Sequence, residues 1–300
     1  MAKTTVNGLF IVGLGLVVGF LSGMSGVGGG TILTPLLIMI GIPPAVAAAS
    51  DSNQIVASAS SGAFAHRKLG NVDVKLGLVL LSGGIVGSTI GVQVIRVLKA
   101  MGNVDFFIKL VYVVVLGFVG FFMLKESYST MKNGEASKNR GGFWCRMREA
   151  NLPFKMKFPV SGIEVSAIFP FGMGLTVGLL AAIMGVGGGF IMMPAMIYIL
   201  GMPTTVAIGT DLFQIVLTQV NTVVQQSYVN RTVDLVLAML ILLGSTVGAQ
   251  MGARMTRRVR GPQLRFFLGL IVMAILVKLL LELLIMPEEL IVLSSGGGGH

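Results

Sequence analysis

The sequence predicts an all-α integral membrane protein, built from two inverted repeats of about five helical segments each. The 300 residues are 54% hydrophobic and only 11% charged, whereas a soluble domain is close to one quarter charged. The mean hydropathy is +0.89. The pentapeptide Gly26–Gly30 returns as Gly185–Gly189, each copy interrupts an apolar run, and each is followed five residues later by a proline. The chain therefore repeats itself, with a backbone break at matching positions.

The first repeat, residues 1–124, contains five apolar segments. The first, residues 8–24, resembles a secretory signal peptide, but its copy at 163–184 lies inside the chain, where no signal peptide acts. Residues 31–41 are too short to cross about 30 Å of hydrocarbon at 1.5 Å per residue. These two segments therefore predict a broken or re-entrant helix whose tip lies inside the membrane. The remaining helices are expected at about 44–65, 74–95 and 106–124.

The second repeat, residues 162–287, follows the same order. Asp51 and Gln54 match Asp211 and Gln214, and glycines at four-residue spacing recur in the fourth helix of each half as a ridge for close helix packing. Between the repeats, residues 125–161 carry eight basic residues against three glutamates. This composition predicts a basic cytoplasmic linker, and a nucleic-acid patch is the weaker alternative because few aromatic residues are interleaved. Residues 288–300 form a tail whose end resembles an artificial remnant, which we exclude.

Positive charge distinguishes parallel from inverted repeats. An odd number of segments in each half makes the second half cross the membrane in the opposite direction. With the linker inside, the basic turn 66–75 and the basic stretch 254–265 both fall inside, while the loop at Arg231 falls outside. Arg96 and Lys99 run against this bias. We expect a multi-pass cell-membrane protein with both termini outside and with anionic lipid headgroups beside its basic loops.

The third helix of each half presents a polar face at helical spacing. Because polar faces toward lipid are costly, these faces point inward. They line a binding cavity at the repeat interface near the membrane midplane, or they form inter-helix hydrogen bonds that hold the bundle together. Each aspartate follows a proline by seven or eight residues, so a position near the membrane surface also stays open. The two faces consist of Asp51, Gln54, Ser58 and Ser61, and of Asp211, Gln214, Thr218, Asn221 and Gln225.

The glycine breaks predict an anion site. A helix that restarts after a break directs unpaired N–H groups and the positive end of its dipole into the gap. Two such breaks in matching positions are typical of a transporter binding site. Asp51 and Asp211 are also the candidates for proton coupling, because intramembrane carboxyl groups serve as proton relays. The candidate substrate-binding residues are Gly28, Gly29, Gly30, Thr31, Asp51, Gln54, Ser58, Gly187, Gly188, Gly189, Asp211, Gln214, Thr218 and Asn221.

Enzyme and cofactor motifs do not accompany these residues. A metal site would need more carboxylates or histidines than Asp51 and Asp211 supply, since His66 lies in a basic turn and His300 in the tail. The glycine run looks like a dinucleotide motif, but no βαβ pattern surrounds it. We therefore expect no enzymatic activity, no metal, no cofactor and no nucleic-acid partner. The single Cys145 forms no internal disulfide, and the oligomeric state is left open.

The paired breaks, the prolines after them and the Asp and Gln pairs resemble the TauE/SafE family of sulfite and organosulfonate anion transporters. The resemblance covers nearly the whole chain. It implies a secondary carrier for small sulfur-containing anions such as sulfite, sulfonates or sulfoacetate, coupled to protons or to another gradient. An uncoupled anion channel or facilitator is the alternative, and a membrane partner protein without transport is a third. The exact substrate, the direction of transport and the coupling ion are left open.

Overall fold

The computed structural model describes residues 8–25, 30–102, 104–133, 154–255 and 261–285. Within these ranges the chain forms ten α-helices, a short π-helical turn and one two-stranded antiparallel sheet. The elements in chain order are α1 (Gly8–Ser25), α2 (Gly30–Met39), α3 (Pro44–Lys68), α4 (Val74–Ala100), α5 (Val104–Asn133), β1 (Lys155–Phe158), β2 (Ile163–Ser166), α6 (Ile168–Met184), α7 (Gly189–Tyr198), α8 (Thr204–Gln225), the π-helical turn (Gln226–Asn230), α9 (Leu235–Met255) and α10 (Gly261–Ile285).

The helical membrane class predicted from composition is confirmed. Three of the described helices are long and apolar enough to cross a membrane, over Val74–Ala100, Val104–Phe122 and Leu235–Gly252. The helices that follow the two glycine breaks, α2 and α7, are each ten residues long. At 1.5 Å per residue such a helix extends about 15 Å, so neither crosses a bilayer by itself. Both therefore have the length of one part of a broken helix.

Three helices of the first half run beyond their predicted ends. α3 continues to Lys68, α4 to Ala100 and α5 to Asn133. The predicted ends mark where the apolar runs stop, but lysine, arginine and glutamate are good helix formers. Charge therefore ends the apolar run without ending the helix. The predicted linker 125–161 consequently begins with the last turns of α5.

The helices pair across the two halves. α4 packs on α6, α1 on α9, α3 on α8 and α5 on α10. Exchanging the two halves converts this set of pairs into itself, which is the pattern that a two-fold pseudo-symmetry produces. α3 and α8 run antiparallel, because Gly62 lies against Leu212 while Gly209 lies against His66. The third helices of the two halves thus cross the centre of the bundle in opposite directions.

The predicted glycine ridges bring helix backbones into direct contact. On α4, a Cβ at Gly87 would collide with the backbone carbonyl of Leu175 on α6. On α9, a Cβ at Gly248 would collide with the backbone carbonyl of Leu16 on α1. Any larger residue would have to push these helix pairs apart. The packing role expected for the ridges is therefore confirmed.

A β-hairpin that the sequence did not predict precedes the second half. β1 pairs antiparallel with β2, with Phe158 opposite Ile163, and Gly162 in the turn has a φ of 66°, which favours glycine. The buried side chains Phe158, Ile163 and Val165 pack on residues from α4, α6, α7 and α8. The predicted boundary between residues 161 and 162 falls inside this turn. Two strands of four residues are too short to show a clear alternating pattern among apolar helices.

Asp73 fastens this hairpin to the bundle. Its carboxylate caps the N-terminus of α4, and the Oδ2 atom accepts hydrogen bonds from the Ser161 N–H at 3.0 Å and the Ser161 hydroxyl at 2.8 Å. The Asp73 N–H donates to Thr210 Oγ1 at 3.0 Å. At the matching position of the second half, the Asp234 N–H donates to Ser50 Oγ at 3.3 Å. The residue just before α4 thus donates a hydrogen bond to α8, and the residue just before α9 donates one to α3.

Candidate functional site

Gly30, the last residue of the first glycine break, meets the second break inside the bundle. The predicted site residues Gly28 and Gly29 lie outside the described residues, and α2 begins at Gly30, which is buried. A Cβ at Gly30 would lie 2.8 Å from Val186 Cα and 3.0 Å from Asp51 Oδ2. Because Val186 belongs to the second break, Gly30 lies against both the third helix of its own half and the break of the other half. Glycine is required here by the close approach of another backbone.

The second break contains three glycines in the left-handed region of φ. Gly185, Gly187 and Gly188 have φ values of 70°, 80° and 78°. The Gly185 N–H donates to the Ala181 carbonyl and ends α6, and α7 begins at Gly189. The first N–H groups of a helix have no acceptor within that helix, and they carry the positive end of its dipole. Both features of α7 therefore lie at the second break.

Gly187 lies between α3 and α8. A Cβ there would lie 2.9 Å from Ile55 Cγ2 on α3 and 3.4 Å from Gln219 Nε2 on α8. A Cβ at Gly30 would lie 2.8 Å from Ile55 Cδ1, so this one side chain contacts both breaks. Gly30, Asp51, Ile55, Gly187 and Gln219 are thus close neighbours, and we name these five residues the central group.

Asp51 is fully buried within the central group. Its Oδ2 accepts a hydrogen bond of 2.6 Å from the Thr34 hydroxyl on α2. Its Oδ1 is also buried and has no hydrogen-bond partner among the described residues. One oxygen of the carboxyl group is therefore fixed by the protein, while the other is left for a further donor.

Tyr112 on α5 extends this polar contact, and this residue was not among those predicted from the sequence. The side chain is fully buried, its hydroxyl donates to the Met184 carbonyl at the end of α6, and it also contacts the Thr34 hydroxyl. Tyr112 therefore joins the Asp51 site to the residue before the second break. The sequence feature that could have revealed Tyr112 is that it is the one tyrosine in the apolar run 106–124. A buried tyrosine hydroxyl usually finds a hydrogen-bond partner, so such a residue indicates a polar contact.

The polar face of α8 is used mainly for packing on α4. Gln214 donates to Asp211 Oδ1 at 3.2 Å, and the Thr218 hydroxyl donates to Gln214 Oε1 at 3.2 Å. Asn221 donates to the Ser88 hydroxyl at 3.0 Å. A Cβ at Gly84 of α4 would lie 2.8 Å from Thr218 Oγ1. For this face, the geometry favours the packing role that the sequence left open: Asp211, Gln214 and Thr218 bond within α8, and Asn221 bonds across to α4.

The structure does not bring Asp211 beside Asp51. Leu212 lies against Gly62, which follows Asp51 by eleven residues on the antiparallel helix α3. Eleven residues correspond to about 17 Å along a helix axis. The expectation of one cavity lined by both polar faces is therefore not met: the central group contains Asp51, and Asp211 lies at another level of the bundle.

The other predicted residues occupy mixed environments. Thr31 and Gln54 are buried, and neither polar atom of the Gln54 amide has a hydrogen-bond partner among the described residues. Ser58 is half-buried and donates to the carbonyl of Ile55 in its own helix at 3.2 Å. A Cβ at Gly188 would collide with the Val177 side chain of α6, so this glycine is needed for packing as well as for its positive φ.

Gln219 is a central-group residue that the pattern of polar spacing did not reveal. It follows Asp211 by eight residues, which places it about 80° around the helix from that aspartate. Gln214, Thr218 and Asn221 lie about 20–80° from Asp211 in the other rotational sense. The signal that could have revealed Gln219 is the amide itself, because a polar side chain inside the membrane is itself a functional candidate.

Acidic groups are sparse around the central group. In the part of the chain that the structure describes, no three His, Cys, Asp or Glu side chains lie close enough to share a metal ion. What the central group offers a ligand is one carboxyl oxygen, one amide group and backbone at two glycines. Such a set suits a small polar ligand that forms hydrogen bonds.

Comparison with known proteins gives one consistent result. The family model "Sulfite exporter TauE/SafE" matches residues 11–279. The chain is 25% identical to "Probable membrane transporter protein YunE" of Bacillus subtilis over 287 residues, covering 91% of this chain and 97% of that protein. It is 28% identical to the B. subtilis "Probable membrane transporter protein YjnA", covering 90% and 98%.

A plant relative adds a more specific name over a shorter stretch. "Sulfite exporter TauE/SafE family protein 1" of Arabidopsis thaliana is 33% identical over 90 residues, which is 30% of this chain and 20% of that protein. No solved structure matches the chain significantly. The names of the relatives agree with the prediction of a transporter and not an enzyme. The match over nearly the whole chain shows that this protein belongs to the sulfite exporter TauE/SafE family of membrane transporters.

Proposed function

We propose that this protein is a secondary transporter of small sulfur-containing organic or inorganic anions, of the sulfite, sulfonate or sulfoacetate type. The observation that carries the proposal is the central group, where two glycine breaks, one carboxyl group and one amide come together in a member of this family. The substrate binds at the interface of the two halves, near the membrane midplane. Backbone N–H groups at the second break and the positive end of α7 attract the anion.

Transport is coupled to protons through Asp51. An anion next to an ionised carboxylate would be repelled, so binding requires a proton on this carboxyl group. Asp51 Oδ1, which has no partner among the described residues, is the atom that carries it. The proton and the anion then cross the membrane together. Asp211 was the second candidate, but it lies at another level of the bundle and accepts a hydrogen bond from Gln214.

The two halves act as inverted repeats. The antiparallel course of α3 and α8 supports this arrangement, because repeats related by an axis along the membrane normal would have parallel third helices. Rocking of one half against the other then exposes the central group to each side in turn. We further propose that both termini lie outside, that the basic segment between the halves is cytoplasmic, and that the basic loops contact anionic headgroups.

A flux measurement in liposomes tests the proposed function. Purified protein in liposomes should take up sulfite and small alkylsulfonates with saturation, and an inward proton gradient should drive uptake above equilibrium. Liposomes without protein, and protein-containing liposomes with chloride as the test anion, are the controls. Flux that does not saturate and that ignores the proton gradient would support the uncoupled channel instead. No uptake of any of these anions would overturn the proposed function.

A further inference from the structure

We propose that the Gln219 side chain is a substrate ligand, and that its amide donates hydrogen bonds to the oxygens of the transported sulfur oxyanion. This inference rests on the proposed function and identifies one side chain that binds the substrate. Gln219 is fully buried, and neither its Nε2 nor its Oε1 atom has a hydrogen-bond partner among the described residues. Because a buried amide without partners is unfavourable for the fold, its presence here indicates a partner that is not part of the described protein.

Neighbouring amides on α8 and on the π-helical turn after it are not in this state. Gln214 is bonded to Asp211, and Gln225 donates to the Thr89 hydroxyl at 2.9 Å. Gln226 donates to the Ala182 carbonyl at 3.3 Å and accepts from Asn230 at 2.8 Å. The helix therefore satisfies its other glutamines within the bundle. Among these glutamines, the amide without a partner is the one that faces a glycine break.

The position of the amide indicates the chemistry of its partner. Its nitrogen lies 3.4 Å from where a Cβ of Gly187 would be, so the amide faces the backbone of the second break. Asp51 Oδ1, in the same central group, is also without a partner among the described residues. A sulfonate or sulfite offers several acceptor oxygens on a single sulfur atom. One oxygen can accept from the amide while another shares the proton of Asp51, and the Ile55 side chain contacts an apolar substituent.

The experiment compares two conservative substitutions, Gln219→Met and Gln226→Met, each of which replaces an amide by an apolar chain of similar length. Thermal stability without ligand and calorimetric affinity for an alkylsulfonate are measured on both proteins and on the wild type. Gln219→Met should lower the affinity on the order of tenfold to a hundredfold, the effect of losing a hydrogen bond to a charged group. It should leave the ligand-free melting temperature equal or raise it, because an unsatisfied buried amide is removed.

Gln226→Met is the matched control and should behave in the opposite way. Its amide is bonded within the protein, so the melting temperature should fall while the affinity stays within about twofold of the wild type. A fall in the ligand-free melting temperature of Gln219→Met as large as that of Gln226→Met would overturn the inference, because the amide would then have a structural partner.

Two further results separate the inference from the proposed function. If the wild type binds the alkylsulfonate and Gln219→Met binds it equally well, the inference is overturned and the transporter proposal stands. If Gln219→Met instead abolishes a stabilisation by Na⁺ and keeps its sulfonate affinity, the amide oxygen is a cation ligand and the inference is also overturned. A wild type that neither binds nor transports sulfite or sulfonates would overturn the proposed function itself, and with it the ligand class assigned to Gln219.

Discussion

At the scale of single residues, the two aspartates that match in sequence have different surroundings. Asp51 contacts the Gly30 backbone and accepts from Thr34, which in turn contacts Tyr112. Counting from the repeated pentapeptide, the residue that matches Thr34 is Met193, which has no hydroxyl group. Asp211 accepts instead from Gln214 of its own helix. The two matching aspartates therefore have different hydrogen-bond partners.

This difference predicts different roles for the two carboxyl groups. With one proton bound together with each anion, the affinity of the wild type for a fully ionised alkylsulfonate should rise as the pH falls, by up to about tenfold for each pH unit. Asp51→Asn should make the affinity independent of pH, because the amide no longer gains or loses a proton. Asp211→Asn should retain the pH dependence of the wild type. Calorimetry between pH 5.5 and 8 measures all three; a flat profile for Asp211→Asn and a normal one for Asp51→Asn would contradict the assignment.

At the scale of elements, the hairpin of β1 and β2 connects parts of both halves. Its buried face packs on α4 of the first half and on α6, α7 and α8 of the second. Asp73 holds the turn of the hairpin through Ser161, and its own N–H reaches Thr210, the residue before Asp211. A hairpin held in this way links the two halves at this end of the bundle.

A double-mutant cycle tests the contact between Asp73 and Ser161. Loss of a helix cap alone lowers the free energy of unfolding by about 0.5–2 kcal/mol. Asp73→Ala should lower it by more than this, because the contact with the hairpin is lost as well. Ser161→Ala should show a coupling energy with Asp73→Ala of about 0.5–3 kcal/mol, measured by unfolding in detergent. Ser82→Ala, an exposed serine bonded to its own helix, is the control and should add independently. Additive effects of Asp73→Ala and Ser161→Ala would refute the contact.

At the scale of the whole molecule, the pairing of helices relates the two halves by a pseudo-two-fold exchange. Two of the pairs, α3 with α8 and α5 with α10, join matching helices of the two halves. Exchanging the halves converts the third pair, α1 with α9, into the fourth, α6 with α4. Because α3 and α8 are antiparallel, their C-terminal ends lie at opposite ends of the bundle. Leu69, just after α3, and Tyr228, in the π-helical turn after α8, mark these two ends, and both are exposed.

Cysteine labelling at these ends tests the inverted topology. In a Cys145→Ser background, a cysteine at Leu69 should react with a membrane-impermeant thiol reagent only from the cytoplasmic side. A cysteine at Tyr228 should react only from outside, because the matching ends of inverted repeats face opposite sides. Labelling of whole cells and of inverted vesicles gives the two readings. Reaction of both cysteines from the same side would rule out inverted repeats.

The helical membrane class, the internal repeat, the two glycine breaks and the glycine ridges could all be predicted from the sequence. These features follow from local rules: apolar composition, spacing along a helix, and the few backbone conformations that only glycine accepts. The repeated pentapeptide and the family resemblance depend on residue identity alone. The family match at residues 11–279 confirmed the resemblance.

Which polar groups face the breaks became clear only from the packing of the helices. A polar stripe such as Asp211, Gln214 and Thr218 has the same spacing whether it faces a cavity or another helix, and here it bonds within α8 and packs against α4. Tyr112 reaches Met184 from a distant helix, so no spacing along the chain could reveal that contact. Gln219 differs from the other glutamines of α8 because the antiparallel crossing of α3 and α8 places it beside Gly187 and Ile55. Local periodicity fixes the face of a helix, but what that face meets depends on how helices far apart in the sequence pack together.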